Sequence, residues 1–404
     1  MTQTTVLVGF AEALAAPEVV WSLVDAGFRV IAFARRGRAS ALRHSRYVIC
    51  HDICAPESGI QQSLSELQSL VNSVGSLTAS DPLIVFPLDD KAVWLCSKLK
   101  TSNSWLLAGP SGPCADLALR KHLQVAAARE AGFKVPNTAL VRKAEDLADF
   151  TEAEEFPIIL KADECVPVVQ DRVYSCRKWI CANRSELERA VDEWKEHVPL
   201  LAQGFITGIG EGVFGLAAPE GIRAWSGHHR VRMMNPQGSG SSACESQLVG
   251  EEVKQTTQKM LVNIGWRGLF MVEMLRDEQG SAWFVELNGR PWGSMALCRR
   301  QGLEYPAWHV ELTMNQASRA GLNVPASPEI ICRHAGREFM HMLFVLRGAK
   351  SNALNRWPSF WKSVWDILQF RKGDGLYNWR RDDKNVFLAD FYYTIHDNVF
   401  KGKN

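Results

Sequence analysis

No stretch of this 404-residue chain approaches the ~20 consecutive apolar residues that a membrane-spanning helix requires, so a membrane span is excluded. Nor do Met1 to Thr5 carry a basic region ahead of an apolar run. With no secretory signal visible, a soluble cytoplasmic protein is expected. An excess of one charge is missing too. Lys and Arg number 46 and Asp and Glu 44, and a formal net charge of +2 argues against a dedicated nucleic-acid binder. None of the ten cysteines forms a Cys-x-x-Cys pair, so they read as small buried apolar residues rather than bridges. The tightest group, Cys50-His51-Asp52-Ile53-Cys54, has no second half at zinc-like spacing and reads as ordinary packing. The P-loop and the G-x-S-x-G nucleophile elbow are absent. After Gly9 the second and third glycines of the dinucleotide fingerprint are absent as well, which removes the main support for an oxidoreductase.

What the chain does contain is 46% apolar residues, ample to offset the entropy of ordering, over a length that calls for two or three domains. In the first hundred residues short apolar runs (Val6 to Val8, Arg29 to Ala34, Tyr47 to Ile49, Leu83 to Phe86, Trp105 to Ala108) alternate with helical patterns. That alternation predicts a parallel sheet with covered faces, a Rossmann-like unit over 1–110. Next come a helical pattern from Ala115 to Ala131, a strand from Pro157 to Lys161 and a helix from Ser185 to Trp194. Ser185 reads as the cap of that last helix, with Glu188 three residues on. A strand from Leu200 to Ile206, alternating segments from Gly212 to Val231 and a helix from Glu251 to Ile264 follow. After about residue 325 aromatic and basic residues accumulate. Trp357, Trp361, Trp365 and Leu368 recur at helical spacing, so they form one helix face. Mixed charges around it favour docking against the chain's own body over a lipid surface.

The most informative stretch runs from Gly268 to Arg290. Two apolar strands flank a polar turn centred on Gln279-Gly280, which is a hairpin signal. If that pair is the two-residue loop, Glu273 falls opposite Glu286, and the alternation of strand side chains puts Asn288 on the face of Glu286. Two carboxylates and an amide oxygen converge, a hard-cation site suited to magnesium and its nucleotide phosphates. Acids placed in a buried sheet need such a partner.

With Glu273, Glu286-Leu287-Asn288-Gly289-Arg290 and Pro291-Trp292-Gly293-Ser294 in place, the chain resembles the ATP-grasp ligases, and most closely their carbamoyl-phosphate-synthase-like branch. The resemblance implies α/β and α+β architecture: a Rossmann-like domain over 1–110 and a two-subdomain ATP-grasp fold over 111–325, divided into 111–202 and 203–325. An aromatic-rich C-terminal extension, 326–404, would pack on that body. It implies ATP and Mg2+ as cofactors, with Mn2+ as a substitute, and Glu273, Glu286 and Asn288 as metal ligands. Lys121 and Lys161 match the two nucleotide lysines, whose mobile point charges suit a triphosphate. Gln203-Gly204-Phe205-Ile206 resembles the linker that pairs with adenine, and Glu211 stands where the ribose is held. Arg290 matches an arginine near the transferred phosphate. Arg230 and Arg232, two apart on a strand, would share one face, and Arg232 is assigned to the γ-phosphate or acyl phosphate. His228 and His229 read as the end of a strand.

One departure stands out. The lid expected after the second lysine is normally Gly/Ser-rich, whereas 162–171 contains no glycine. The activity implied is an ATP-dependent ligase joining a small-molecule carboxylate, activated as an acyl phosphate, to an amine. A phosphotransferase or acid–thiol ligase using the same site, or a non-catalytic ATP-binding regulator, are the alternatives. No nucleic-acid partner is expected, and a homodimer is compatible with the sequence.

Overall fold

The computed structural model describes residues 3–76, 82–238, 240–316, 329–349 and 357–400. Its first sheet is parallel and built from β1 (Thr5–Gly9), β2 (Arg29–Arg35), β3 (Ile49–Ile53), β4 (Leu83–Pro87) and β5 (Trp105–Leu107), in the order β3-β2-β1-β4-β5. The apolar runs of β1 and β4 are buried on both faces. Val6, Val8, Ile84 and Phe86 belong to one core cluster, while Leu7, Leu83 and Val85 belong to another on the opposite side. Gly9 has a packing role: a Cβ there would run into the ring of Phe33. The third strand begins two residues later than the apolar run Tyr47 to Ile49 suggested.

The long helical pattern from Ala115 to Ala131 is in fact two helices, Pro113–Leu119 and Lys121–Ala131. They part at Arg120, whose backbone is extended (φ −123°, ψ 111°). Tertiary contacts override helix propensity at this point. Arg120 forms an isolated bridge with Glu164, the Lys121 amide donates to the Asp163 carbonyl (2.9 Å), and the Cys165 amide donates to the Leu119 carbonyl (2.8 Å). Lys121 therefore opens a helix instead of lying within one.

The second sheet is antiparallel. It uses β6 (Thr138–Val141), β7 (Ile158–Ala162), β10 (Trp179–Cys181) and β11 (Leu200–Gly204) in the order β10-β7-β11-β6, with a small hairpin of β8 (Val168–Val169) and β9 (Arg172–Val173) beside it. The helix Arg184–Trp194 is capped by Asn183, not Ser185. The Asn183 side chain accepts from the Glu186 amide (3.0 Å), and Glu186 in turn accepts from the Ala182 amide (2.9 Å).

The third sheet has seven strands, in the order β16-β15-β12-β13-β14-β17-β18. These are β12 (Ile209–Ala218), β13 (Gly221–Met233), β14 (Ser241–Gln247), β15 (Gly268–Arg276), β16 (Ala282–Asn288), β17 (Ile331–Arg333) and β18 (Gly375–Leu376). The C-terminal stretch thus adds two strands to the sheet as well as packing on the body. Its expected start at 326 falls outside the described residues.

Asp383 pins the C-terminal stretch to the helix Ala16–Asp25 and to the turn before β3. That buried carboxylate accepts from Trp21 Nε1 (2.9 Å), Ser45 Oγ (2.6 Å) and the Arg46 amide (3.0 Å). The aromatic stripe is a different matter. Trp361, Trp365 and Leu368 are 77%, 66% and 71% exposed, and the helix Phe360–Leu368 buries Ser363 against His341 instead. Among the described residues no helix is long and apolar enough to cross a membrane.

Replacing Asp383 by Ala leaves three donors without their acceptor. We expect a loss of about 2–4 kcal/mol in urea unfolding, since stranded buried donors cost roughly 1–3 kcal/mol each and part of the set regains water. An unchanged midpoint would show that this anchor does not hold the C-terminal stretch.

Candidate active site

Across the β15–β16 hairpin, Glu273 pairs with Glu286, Val272 with Leu287 and Met271 with Asn288. Nearer the turn the pairing slips by one residue, to Met274–Phe284, Leu275–Trp283 and Arg276–Ala282. The turn is accordingly longer than a two-residue Gln279-Gly280 loop. Asp277 closes it, its carboxylate accepting from the Ser281 amide (2.7 Å) and from Trp283 Nε1 (2.7 Å). A bulge at Val285 absorbs the extra residue and brings the two glutamates opposite one another.

These glutamates lie at one wall of a cavity of about 400 Å³. The facing wall comes from β7 and β11 and the residues after them: Ile159, Lys161, Gln203, Gly204, Phe205 and Ile206. Lys121 reaches in from the helix break, and Lys178 from the chain just before β10. Arg230 also lines the cavity, its guanidinium donating to Glu273 (2.8 Å). Asn288 is buried, and its amide nitrogen donates to Glu286 (2.9 Å). Behind the hairpin, Arg290 donates to Asp90 of the first sheet's domain (2.9 Å).

The electrostatics are uneven. Burial, and then the facing Glu286, raise the Glu273 carboxyl above its usual range, against the lowering effect of Arg230. Burial alone would raise Asp90 too, but Arg290, with Lys121 and Lys91, outweighs it and holds that carboxyl low. Lys161 is pushed from the usual 10.5 down to about 8, first by burial and then by Lys121 and Lys178, while Glu286 opposes the shift.

Two expected site residues lie elsewhere. Arg230 and Arg232 do not share a face, because β13 bulges between them: Arg230 pairs with Cys244 but Arg232 with the neighbouring Ala243. Arg232 leaves on the far side, where it donates to both oxygens of Glu338 (2.8 Å each) and lines a separate cavity of about 480 Å³. Arg230 takes the place at the cavity that was expected of Arg232. Glu211 pairs with Met274, one residue out of phase with Glu273, so its side chain points to the opposite face of the sheet. There it is held by Arg276 through two 2.7 Å contacts. His228 is buried against Ser294 (2.8 Å), and burial lowers it to about 3, so it is a neutral packing residue.

Lys178, Lys91 and Asp90 stand in no recognisable motif and were missed by sequence reasoning. Lys91 lines a cavity of about 260 Å³ together with Lys121, Lys161 and Lys178, and a further one of about 370 Å³ with Glu12, Arg35, Asp89 and Asp90. The three cavities adjoin: Lys121, Lys161 and Lys178 line the first two, and Lys91 and Cys165 line the last two. Among the described residues no group of three His, Cys, Asp or Glu side chains converges as a metal cage. The hard donors present are the two glutamates and the Asn288 amide.

No family model matches the chain, and no curated protein matches it by sequence. Solved structures do match. The ADP complex of N5-carboxyaminoimidazole synthetase from Staphylococcus aureus is 14% identical, with a TM-score of 0.57 over 78% of each chain. An L-amino acid ligase from Bacillus licheniformis is 14% identical, with a TM-score of 0.58 over 81% of this chain and 77% of that one. The biotin carboxylase–beta-gamma-ATP complex from Campylobacter jejuni is 16% identical, with a TM-score of 0.61 over 81% of this chain and 74% of that one. At such identity the likeness establishes the fold alone, one that this chain shares with these synthetase, ligase and carboxylase structures.

Lys161 offers a direct check on the site's charge. A folded-state value below 10.5 means that folding disfavours the charged amine. That cost is present in full below about pH 8 and is relieved as the pH rises from there towards 10.5. Amine-reactive labelling of Lys161, read by mass spectrometry across pH, should show a midpoint near 8. Glu286→Gln should move it lower, because the Glu286 charge raises it. A midpoint no different from that of surface lysines would remove the case for a cation-rich site.

Proposed function

We propose that this chain is an ATP-dependent ligase that activates a small-molecule carboxylate as an acyl phosphate and joins it to an amine, releasing ADP and phosphate. The observation that carries this reading is the facing Glu273–Glu286 pair at one end of a cavity entered by Lys121, Lys161 and Lys178. Among the described residues, an acid pair in a buried sheet, of which only Glu273 has an ion-pair partner, beside three ammonium groups with no carboxylate partner suits a metal-bound polyphosphate.

The residues present fit magnesium. Glu273 and Glu286 supply carboxylate oxygens. The Asn288 amide nitrogen is engaged by Glu286, which leaves its carbonyl oxygen for a hard cation. When bound there, the cation would offset charge on the phosphate oxygens. The apolar and backbone groups of Gln203 to Ile206 take the nucleotide base, and Lys121 and Lys161 hold the phosphates. Arg230 and Arg290 flank the acid pair and sit close to where charge develops on the transferred group.

The chemistry then needs no side-chain nucleophile. A carboxylate oxygen of the substrate attacks the γ-phosphorus, and the bond to ADP breaks with ADP keeping the electron pair. The amine nitrogen attacks the acyl carbon, phosphate leaves, and the amine loses its proton. Electrostatic positioning supplies most of the effect in such a transfer. The polar cavity of about 370 Å³ beyond Lys91 is the route by which the co-substrate reaches the phosphate end. The L-amino acid ligase among the structural neighbours makes amino acids the first acids and amines to try.

Phosphate release should require an acid and an amine together, so a two-component screen of amino acids with ADP release as the readout tests the reaction. Glu286→Gln should keep the fold and lower turnover by roughly a hundredfold or more, as loss of one group stabilising transition-state charge typically does. High magnesium should restore part of that loss. Glu278→Gln, in the exposed turn, should be nearly silent. Full activity of Glu286→Gln at low magnesium would overturn both the metal site and the ligase reading.

A further inference from the structure

We propose that Lys178 is a third phosphate-binding ammonium group, carried on a pinned, glycine-free segment that grips the nucleotide's anionic end with side-chain charge in place of lid backbone amides. This rests on the nucleotide reading above and adds to it a residue and a mode of grip.

Residues 162–178 contain no glycine. A loop without glycine cannot easily turn its amides onto a phosphate, because few residues reach the required left-handed conformations. The two left-handed residues present, Gln170 (φ 49°) and Asp171 (φ 61°), are used up in the tight turn between β8 and β9. That turn docks on the first domain. The Asp171 carbonyl accepts from the Ile60 amide (2.9 Å), the Asp171 carboxylate from the Gln61 amide (3.2 Å), and the Pro56 carbonyl from the Val173 amide (3.0 Å). Val166 and Val173 are buried with Ile60, Val93 and Leu119 in one apolar cluster. At its start the segment is tied to the Lys121 helix through Asp163 and Cys165. It is fixed at both ends and in the middle.

From this support the chain re-enters the site. β10 runs antiparallel to β7, with Trp179 opposite Leu160. Lys178 immediately precedes that strand, and it and Lys161 line the same two nucleotide-side cavities. Like charges gathered at one cavity repel unless something anionic lies between them. No ion pair with a carboxylate is formed by either lysine among the described residues, whereas the adjacent Arg177 is already paired with Glu193 (2.8 Å). Lys161 is lowered first by its burial, and the nearby Lys121 and then Lys178 add to that. Three ammonium groups, Lys121, Lys161 and Lys178, line both of these cavities. A polyanion such as a nucleoside di- or triphosphate is the ligand class that balances them.

The test is calorimetric titration of the full-length protein with adenosine, ADP and ATP. For Lys178→Ala we expect ADP and ATP to bind about tenfold more weakly, equivalent to roughly 1.4 kcal/mol, with adenosine binding unchanged. Lys178→Arg should recover most of that loss. The salt sensitivity of ATP binding should fall in the Ala variant, because one exposed charge contact is gone. The labelling midpoint of Lys161 should rise in the same variant, a change that a merely structural residue would not cause. If wild type binds ATP and Lys178→Ala binds ATP, ADP and adenosine just as well, the inference is wrong and the nucleotide reading stands. If folded wild type binds none of the three, the nucleotide reading itself fails.

Discussion

Two carboxylates facing one another inside a hairpin need countercharge, and the surrounding structure supplies it from several directions. Charges about 5 Å apart repel by roughly 3 kcal/mol at an effective dielectric near 20, and burial adds to that. Glu273 draws Arg230 from β13, two strands away across β12. Arg290, two residues beyond Asn288, carries its charge to the same place while bonded to Asp90 of the first domain. The pair therefore couples the hairpin to the adjoining strands and the seven-stranded sheet to the parallel one. In the proposed reading, a divalent cation held by the two carboxylates would complete the balance, and a polyphosphate would meet the charge of Lys121, Lys161 and Lys178.

Much of this frame was legible in the sequence. The alternation of apolar runs and helical patterns before residue 110 marked a covered parallel sheet, because strands buried on both faces leave continuous apolar runs. The Glu273–Glu286 register was legible for a less secure reason. The turn is one residue longer than its Gln279-Gly280 centre suggested, and the bulge at Val285 compensates, so two offsets cancel at the glutamates. A similar bulge in β13 carries no such compensation. It separates Arg230 from Arg232, and a period-two reading of the strand had no means of seeing it. Glu211 failed for a related reason, since its face depends on its pairing with Met274, a partner far along the chain.

Other features were hidden because they depend on distant contacts. The pattern from Ala115 to Ala131 is continuous in helix propensity, yet backbone bonds to Asp163 and Cys165 break it at Arg120. Propensity differences of a few tenths of a kcal/mol per residue yield readily to such contacts. The Trp361, Trp365 and Leu368 stripe shows the reverse limit. Helical spacing placed these residues on one face correctly, but periodicity does not state which face meets the body, and here the contact is made by Ser363.

Three consecutive residues, Asp89, Asp90 and Lys91, show how the first domain enters the site without a nucleotide motif of its own. Asp89 caps the helix Asp90–Ser97 by accepting from the Ala92 amide (2.8 Å), and it also takes a 2.6 Å bond from Arg35. With the cap fixed, Asp90 stands at the first helical position, where it receives Arg290 from the hairpin strand. Lys91 then points toward Glu57 and lines both the cation-rich cavity and the polar one beyond it. A helix start at the carboxyl edge of a parallel sheet is where such folds gather ligands. In this chain the missing glycine fingerprint is offset by charged side chains in the same place. That substitution matches the one in the glycine-free segment facing it, where Lys178 stands at the end of a chain pinned to this same domain. In the proposed reading, side-chain charge on fixed supports, in place of glycine-borne backbone amides, is thus the common element on both sides of the phosphate end.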